Sequence, residues 1–104
     1  MITRLWHGRV STTKANAYRE FLNARAIPDY QSVPGNVGVY ILAKPEGDIT
    51  HFITLSLWES MEVIQGFTGE DVNVAKYYEE DQDFLLEFEP TVVHYEVVGQ
   101  SEVK

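Results

Sequence analysis

The run Thr54–Glu62, TLSLWESME, decides how this chain is read. Polar and apolar residues alternate through Thr54, Leu55, Ser56 and Leu57, the period of a strand with two unlike faces, and the alternation ends on Trp58. Ser60 is placed to cap a following helix whose apolar stripe is Val63, Ile64 and Phe67, with Gly66 and Gly69 weakening and then ending it. A strand that hands over to a helix beside a tryptophan makes an α+β chain the starting point.

Upstream, residues 2–10 read as a strand, and Ser11 or Thr12 supplies a cap for a helix carrying Ala17, Tyr18, Phe21, Leu22 and Ala24 at helical spacing. Pro28 and the SVPGN segment, Ser32–Asn36, are expected to end that helix and turn the chain. Val37–Ala43 reads as a second strand, the KPEGD segment at Lys44–Asp48 as a turn, and His51–Trp58 as a third strand. Downstream, a helical piece is expected over Val72–Tyr78 and a short one over Glu80–Leu85. Pro90 then precedes a last strand, Thr91–Val98, and a frayed tail, GQSEVK. The chain is expected to form a single domain over residues 1–98, with 99–104 as the tail.

The order βαββαβ is the ferredoxin-like arrangement, with strands ordered 4-1-3-2 and every neighbouring pair antiparallel. Helices cover only one face of such a sheet, yet Ile53, Leu55 and Leu57 lie on one side of the third strand while Phe52 and Trp58 lie on the other. A sheet apolar on both sides calls for a second copy, so a homodimer packed sheet to sheet is expected. Centre-to-centre pairing of strands one and three sets Trp6 near Thr54 and Ile2 near Trp58. One face then carries Arg4, Trp6, Gly8, Phe52, Thr54, Ser56 and Trp58. Pairing strand four in the same way adds Val93, Tyr95 and Val97 to that face. His7, His51 and His94 then fall on the opposite one.

Composition removes several functions. The 104 residues include 44% hydrophobic side chains, enough for a packed globule, and no cysteine, which excludes disulfides, thiolate nucleophiles and cysteine-ligated metals. The net charge is −8; residues 1–58 hold six Lys/Arg and four Asp/Glu, whereas 59–104 hold two and twelve. Such a second half repels nucleic acid and anionic membranes. Neither a signal core nor a membrane-length apolar window is present, so a cytoplasmic protein is the expectation. The histidines do not follow an HxxxH pattern, no serine sits in a GxSxG turn, and PGNVG opens no phosphate-binding helix, so neither metal nor cofactor is expected.

The LSLWES motif at Leu55–Ser60, the GFTG break at Gly66–Gly69, the acidic aromatic stretch KYYEEDQDFLLEFEP and the HYEV ending at His94–Val97 together resemble the antibiotic-biosynthesis-monooxygenase (ABM) family of dimeric α+β barrels. The resemblance implies a pocket between sheet and helices with Trp58 in its wall. Arg4, Trp6, Thr54, Ser56 and Tyr95 join it by parity, and Phe67 and Tyr78 from the covering segments. Trp58 and Arg4 are the catalytic candidates, the second as a fixed positive charge; the other six would bind substrate. Each has a plainer reading: Trp58 as core, Arg4 as half of an ion pair, Tyr78 as a helix anchor. The family implies cofactor-independent oxidation of a small phenolic aromatic, or a non-catalytic, small-molecule-binding or stress-related dimer of the same shape. Its haem-degrading members use a strand-one asparagine and a helical histidine. The first position falls on Gly8 here, and Ser60–Leu86 contains no histidine.

Overall fold

The computed structural model describes residues 1–102. It is a slab 36 × 35 × 22 Å, the thickness of one sheet and one covering layer. The sheet comprises β1 (Ile2–Ser11), β2 (Asn36–Glu46), β3 (Ile49–Trp58) and β4 (Val93–Glu96), ordered β2-β3-β1-β4 with antiparallel neighbours throughout. The helices are α1 (Ala15–Phe21), α2 (Ile27–Gln31) and α3 (Met61–Thr68). This is the expected ferredoxin-like α+β architecture. The last two residues of the expected tail, Val103 and Lys104, lie outside the described residues.

The expected register of β1 on β3 holds: Trp6 pairs with Thr54 and Ile2 with Trp58. Burial therefore alternates along β3 and along β1 from Thr3 onward. Arg4, Trp6, Gly8 and Val10 join Thr50, Phe52, Thr54, Ser56 and Trp58 beneath the helices. Gly8 is needed there because a Cβ would stand 2.6 Å from Trp6 Cη2 and 2.8 Å from Leu85 Cδ2. The Trp6 indole lies over its own strand, in the space such a side chain would take.

Several local expectations are corrected. Pro28 does not end the first helical region. A π-turn over Leu22–Ala26 widens the helix just before it, which relieves the clash between the proline ring and an earlier carbonyl, and α2 continues to Gln31. Neither Ser11 nor Ser60 makes a side-chain capping bond; Ser11 Oγ turns to Thr13 Oγ1 instead, and Thr12 Oγ1 to Thr50 Oγ1. The β2–β3 turn shrinks to Gly47 and Asp48, with Gly47 at φ +61°, and the strands extend to meet it. Val72–Tyr78 forms no helix. Asp71 accepts the Asn73 amide, a local bond that competes with helix formation, and Val74 bridges Thr91. The expected short helix appears as a 3₁₀ turn at Glu79–Asp83.

The register of β4 is the most consequential correction. Arg4 pairs with His94 and Thr3 with Tyr95, three residues away from the expected centre-to-centre alignment, an odd shift that exchanges the faces. His94 thus shares the helix-side face with Arg4. Tyr95 and Val93 move to the open face beside Leu5, and Tyr95 is 59% exposed. Only four pairs hold β4 to β1, too few for turn geometry or pattern to fix the alignment in sequence.

Gly8→Ala is expected to lower stability by about 1–3 kcal/mol, the usual result of forcing a methyl group into filled space. A thermal melt showing no loss would mean that Trp6 and Leu85 give way freely.

Candidate functional site

Arg4 sits at the centre of the helix-side face of β1 and is 1% exposed. Its Nη2 donates to the Val74 carbonyl at 3.1 Å, and its guanidinium carbon stands 5.4 Å from the Phe67 ring centroid. Among the described residues no carboxylate forms a salt bridge with it, and its buried Nε has no hydrogen-bond partner. Burial lowers its pKa, while the nearby Tyr30 phenol opposes that shift. Tyr30 responds in the complementary way: burial raises its pKa to about 12 and the Arg4 charge pulls it down.

Aromatic rings enclose the guanidinium. Tyr30 stacks on Phe67 at 4.3 Å between centroids, and Trp58 lies 5.9 Å from Phe67 and 6.2 Å from Tyr30. Trp58 is fully buried and its indole N–H donates to Ser56 Oγ at 2.9 Å. Phe67 carries a second cation on its ring, Lys76, whose Nζ stands 4.3 Å from the centroid. The two cations near Phe67 thus have one carboxylate close by, Asp29, which Lys76 Nζ reaches at 3.0 Å and the Tyr78 hydroxyl at 2.6 Å.

Residues 69–91 cover this group with little regular structure and are tied down by side chains. Besides the Asp29 knot, Tyr18 donates to Asp81 Oδ1 at 2.9 Å and the Tyr78 amide to Asp81 Oδ2 at 2.7 Å. Burial raises the Asp81 pKa against both of those bonds. It also raises those of Tyr18 and Tyr78, each of which faces a carboxylate as well. Beneath the cover a narrow cavity is lined by Trp6, Tyr18, Leu22, Ala26, Tyr30, Thr54, Lys76, Tyr78 and Asp81. Its volume is about 10 Å³, room for about one water molecule.

The structure therefore brings Arg4, Trp6, Thr54, Ser56, Trp58 and Phe67 together on one side of the sheet, with Tyr78 at the edge of the cover. Of these, Trp6, Thr54 and Tyr78 line the cavity itself. Tyr95 stands on the other side. Four contributors were missed in the sequence. Tyr30 was hidden because the helix was ended at Pro28. Lys76 and Asp29 meet across 47 positions, which no local spacing reveals. His94 was hidden by the β4 register. Its Nε2 is buried without a partner among the described residues, and burial together with the Arg4 charge lowers its pKa, which favours the neutral imidazole.

No protein-family model matches the chain, and no curated protein does either. Solved structures do. A Nitrosomonas europaea protein provisionally named an antibiotic biosynthesis monooxygenase superposes with a TM-score of 0.68 at 18% identity, covering 95% of this chain and 100% of that one. The chain has the ABM fold. A similarly named Bacillus cereus protein gives 0.67 at 15% identity, covering 98% and 97%. The heme-degrader MhuD of Mycobacterium tuberculosis, solved with two hemes bound, gives 0.61 at 17% identity, covering 98% and 100%. Identities at this level describe a common ABM fold.

The residues present do not fit a haem. The Trp6 indole and Leu85 close the space above Gly8. The sequence from Ser60 to Leu86 also offers no histidine.

Asp29→Asn should expose how the cover is held. Burial pushes the Asp29 pKa up, but hydrogen bonds from Tyr78 and Lys76 and the charges of Lys76 and Arg25 outweigh it, so the net shift is downward. A depressed carboxyl contributes stability above its unfolded pKa, and that stability is lost as pH falls through the folded one. The variant is expected to lose about 1–2 kcal/mol at pH 7. The gap should narrow in denaturant melts well below pH 4, about where free aspartate titrates.

Proposed function

We propose that this protein binds a small, anionic aromatic molecule between sheet and cover, with Arg4 as its counter-ion, and oxidises it with dioxygen as a cofactor-independent monooxygenase. The observation that carries the reading is the buried Arg4 guanidinium, which has aromatic walls and no carboxylate partner among the described residues. An isolated buried cation is costly, and an anion that arrives with the ligand offsets that cost. Phe67, Tyr30 and Trp58 supply flat surfaces for a ring, and Trp6, Thr54, Ser56 and Tyr78 complete the walls.

The chemistry follows from the ligand. A phenol loses its proton to a neutral base, for which His94 is the group beside Arg4. The phenolate oxygen pairs with the guanidinium. The electron-rich ring carbon then reduces dioxygen, and a carbon–oxygen bond forms. Loss of water leaves the quinone, so that one phenol and one dioxygen become one quinone and one water. The protein contributes deprotonation, charge pairing and a cavity poor in water. A ligand-sized pocket needs about 300 Å³ or more, so the cover must move for a ligand to bind.

The second reading is a binding module that takes up the same ligand without oxidising it. Adding 1-hydroxy-2-naphthoate or a dihydroxynaphthalene separates the two. Binding with oxygen consumption supports the monooxygenase, and binding alone supports the module. Arg4→Met is expected to weaken binding at least about ten-fold while leaving the melting temperature equal or higher, since an apolar side chain of similar length removes an unpaired buried charge. No binding by the unaltered protein, or unchanged binding by Arg4→Met, would overturn the reading.

The open sheet face supports a homodimer. Leu5, Ile53, Leu55 and Leu57 are only half-covered, and Tyr40, Leu42, Val93 and Tyr95 are exposed around them. Such an interface is expected to bury about 2,000 Å² or more in total. Light scattering should return twice the 11.9 kDa chain mass, and Leu55→Asp should halve it; a monomer in both cases would refute the dimer.

A further inference from the structure

On the opposite side of the sheet from Arg4, four ionisable side chains form a row. Glu89 Oε2 stands 2.5 Å from His7 Nδ1, His7 Nε2 stands 3.0 Å from His51 Nδ1, and His51 Nε2 stands 3.7 Å from Glu46 Oε1. The two imidazole centroids are 5.3 Å apart with planes 25° from parallel. That separation is the nitrogen–nitrogen distance plus roughly one ring radius at each end, so the rings lie end to end. Their facing lone pairs oppose each other and do not converge on a third point, which suits a shared proton and not a metal ion. No group of three metal-binding side chains occurs among the described residues.

Proton counting fixes the capacity of this row. His7 Nδ1 faces a carboxylate and carries a hydrogen. The link between the rings holds one more. One further proton can settle on His51 Nε2, giving a single imidazolium shared between Glu89 and Glu46. A proton beyond that would set two N–H groups against each other and break the link. The neighbouring charges are Arg9 on β1, paired with Glu87 at 2.6 Å, and Lys44 on β2, which lines the same cleft.

The row also ties a strap to an edge. Below Leu5, β1 has no β4 partner, and residues 85–89 run alongside it. Val10 bridges Leu85, the Leu86 amide donates to the Arg9 carbonyl at 2.9 Å, and Glu87 and Glu89 hold Arg9 and His7. On its inner side the strap carries Leu85, which packs over Gly8 next to Trp6, and the Glu89 carbonyl, which accepts the Tyr77 hydroxyl.

We propose that Glu89, His7, His51 and Glu46 form a one-proton clasp that fastens the strap of residues 85–89 to the free edge of β1, closing it on proton uptake and loosening it as the proton leaves. In the protonated state Glu89 holds a cationic imidazole pair; in the neutral state it keeps only an uncharged donor, a weaker partner. Loosening the strap uncovers Trp6 and Tyr77 from the edge of the sheet. The inference stands independently of the ligand and of the oxidation chemistry; the row borders the open face offered to a second copy, so exchange is read on the protein in its native assembly.

The Leu86 amide reports the clasp because its acceptor is on β1. Its hydrogen-exchange protection, corrected for the intrinsic rate at each pH, should fall on the order of five-fold as pH is raised and the clasp loses its proton. Amides in the β1–β3 ladder should not change. His7→Gln leaves Glu89 a neutral hydrogen-bond donor but cannot carry the charge, and Glu89→Gln removes the anionic end. Both should flatten the Leu86 profile. Nitrogen-15 spectra of the unaltered protein should show one proton lost from the His7–His51 pair over the same rise in pH. Independent protonation of both rings, or a Leu86 profile unchanged in Glu89→Gln, would overturn the proposal.

Discussion

The in-register antiparallel ladder between β1 and β3 is the constraint on which the rest of the structure depends. Because successive side chains alternate between faces, this one alignment sends Arg4, Trp6, Ser56 and Trp58 beneath the helices and leaves Leu5, His7, Leu55 and Leu57 on the open side. A slip of one residue would turn one strand over relative to the other, burying either His7 beside Phe52 and Trp58 or His51 beside Arg4 and Trp6. Long strands with ten paired positions make that slip improbable, as every bond in the ladder would have to be remade together.

Inside this frame the helix-side layer is a closed aromatic core with one unresolved charge. Trp58, Tyr30 and Phe67 pack as a core would, and the Trp58 indole finds its acceptor in Ser56 without help from a ligand. Arg4 does not fit that description. Nearly every other polar group around it has a bond: Asp29 with Lys76 and Tyr78, Asp81 with Tyr18 and the Tyr78 amide. The exceptions, Arg4 Nε, Trp6 Nε1 and His94 Nε2, all belong to β1 or β4 on the helix side of the sheet. Buried polar atoms without partners call for an explanation beyond packing, and the ligand proposed above supplies one.

What the sequence made legible follows from range. Alternation in TLSLW and the helical stripe of Val63, Ile64 and Phe67 are local patterns, and they carried the fold, the strand order and the β1–β3 faces. Departures arose where a local rule met a tertiary alternative. Pro28 breaks a regular helix, but a π-turn made room for it. Val72–Tyr78 has apolar residues at helical spacing, yet Asp71 captures the Asn73 amide and the segment pairs near Thr91. The short β4 could not announce its own register, so Tyr95 was drawn into the candidate site and His94 left out of it. Contacts such as Asp29 with Lys76 and Glu89 with His7 join residues too far apart for any spacing to reveal.

The central claim is that the Arg4 guanidinium awaits an anion. Its Nε–H resonance in a nitrogen-15 spectrum tests this most directly, since that hydrogen has no acceptor among the described residues. On titration with 1-hydroxy-2-naphthoate the account predicts a saturable downfield shift of the Arg4 Nε–H signal, with no shift from the uncharged methyl ether of 1-naphthol. A signal that stays in place while the naphthoate binds elsewhere, or that moves equally with the neutral ether, would contradict it.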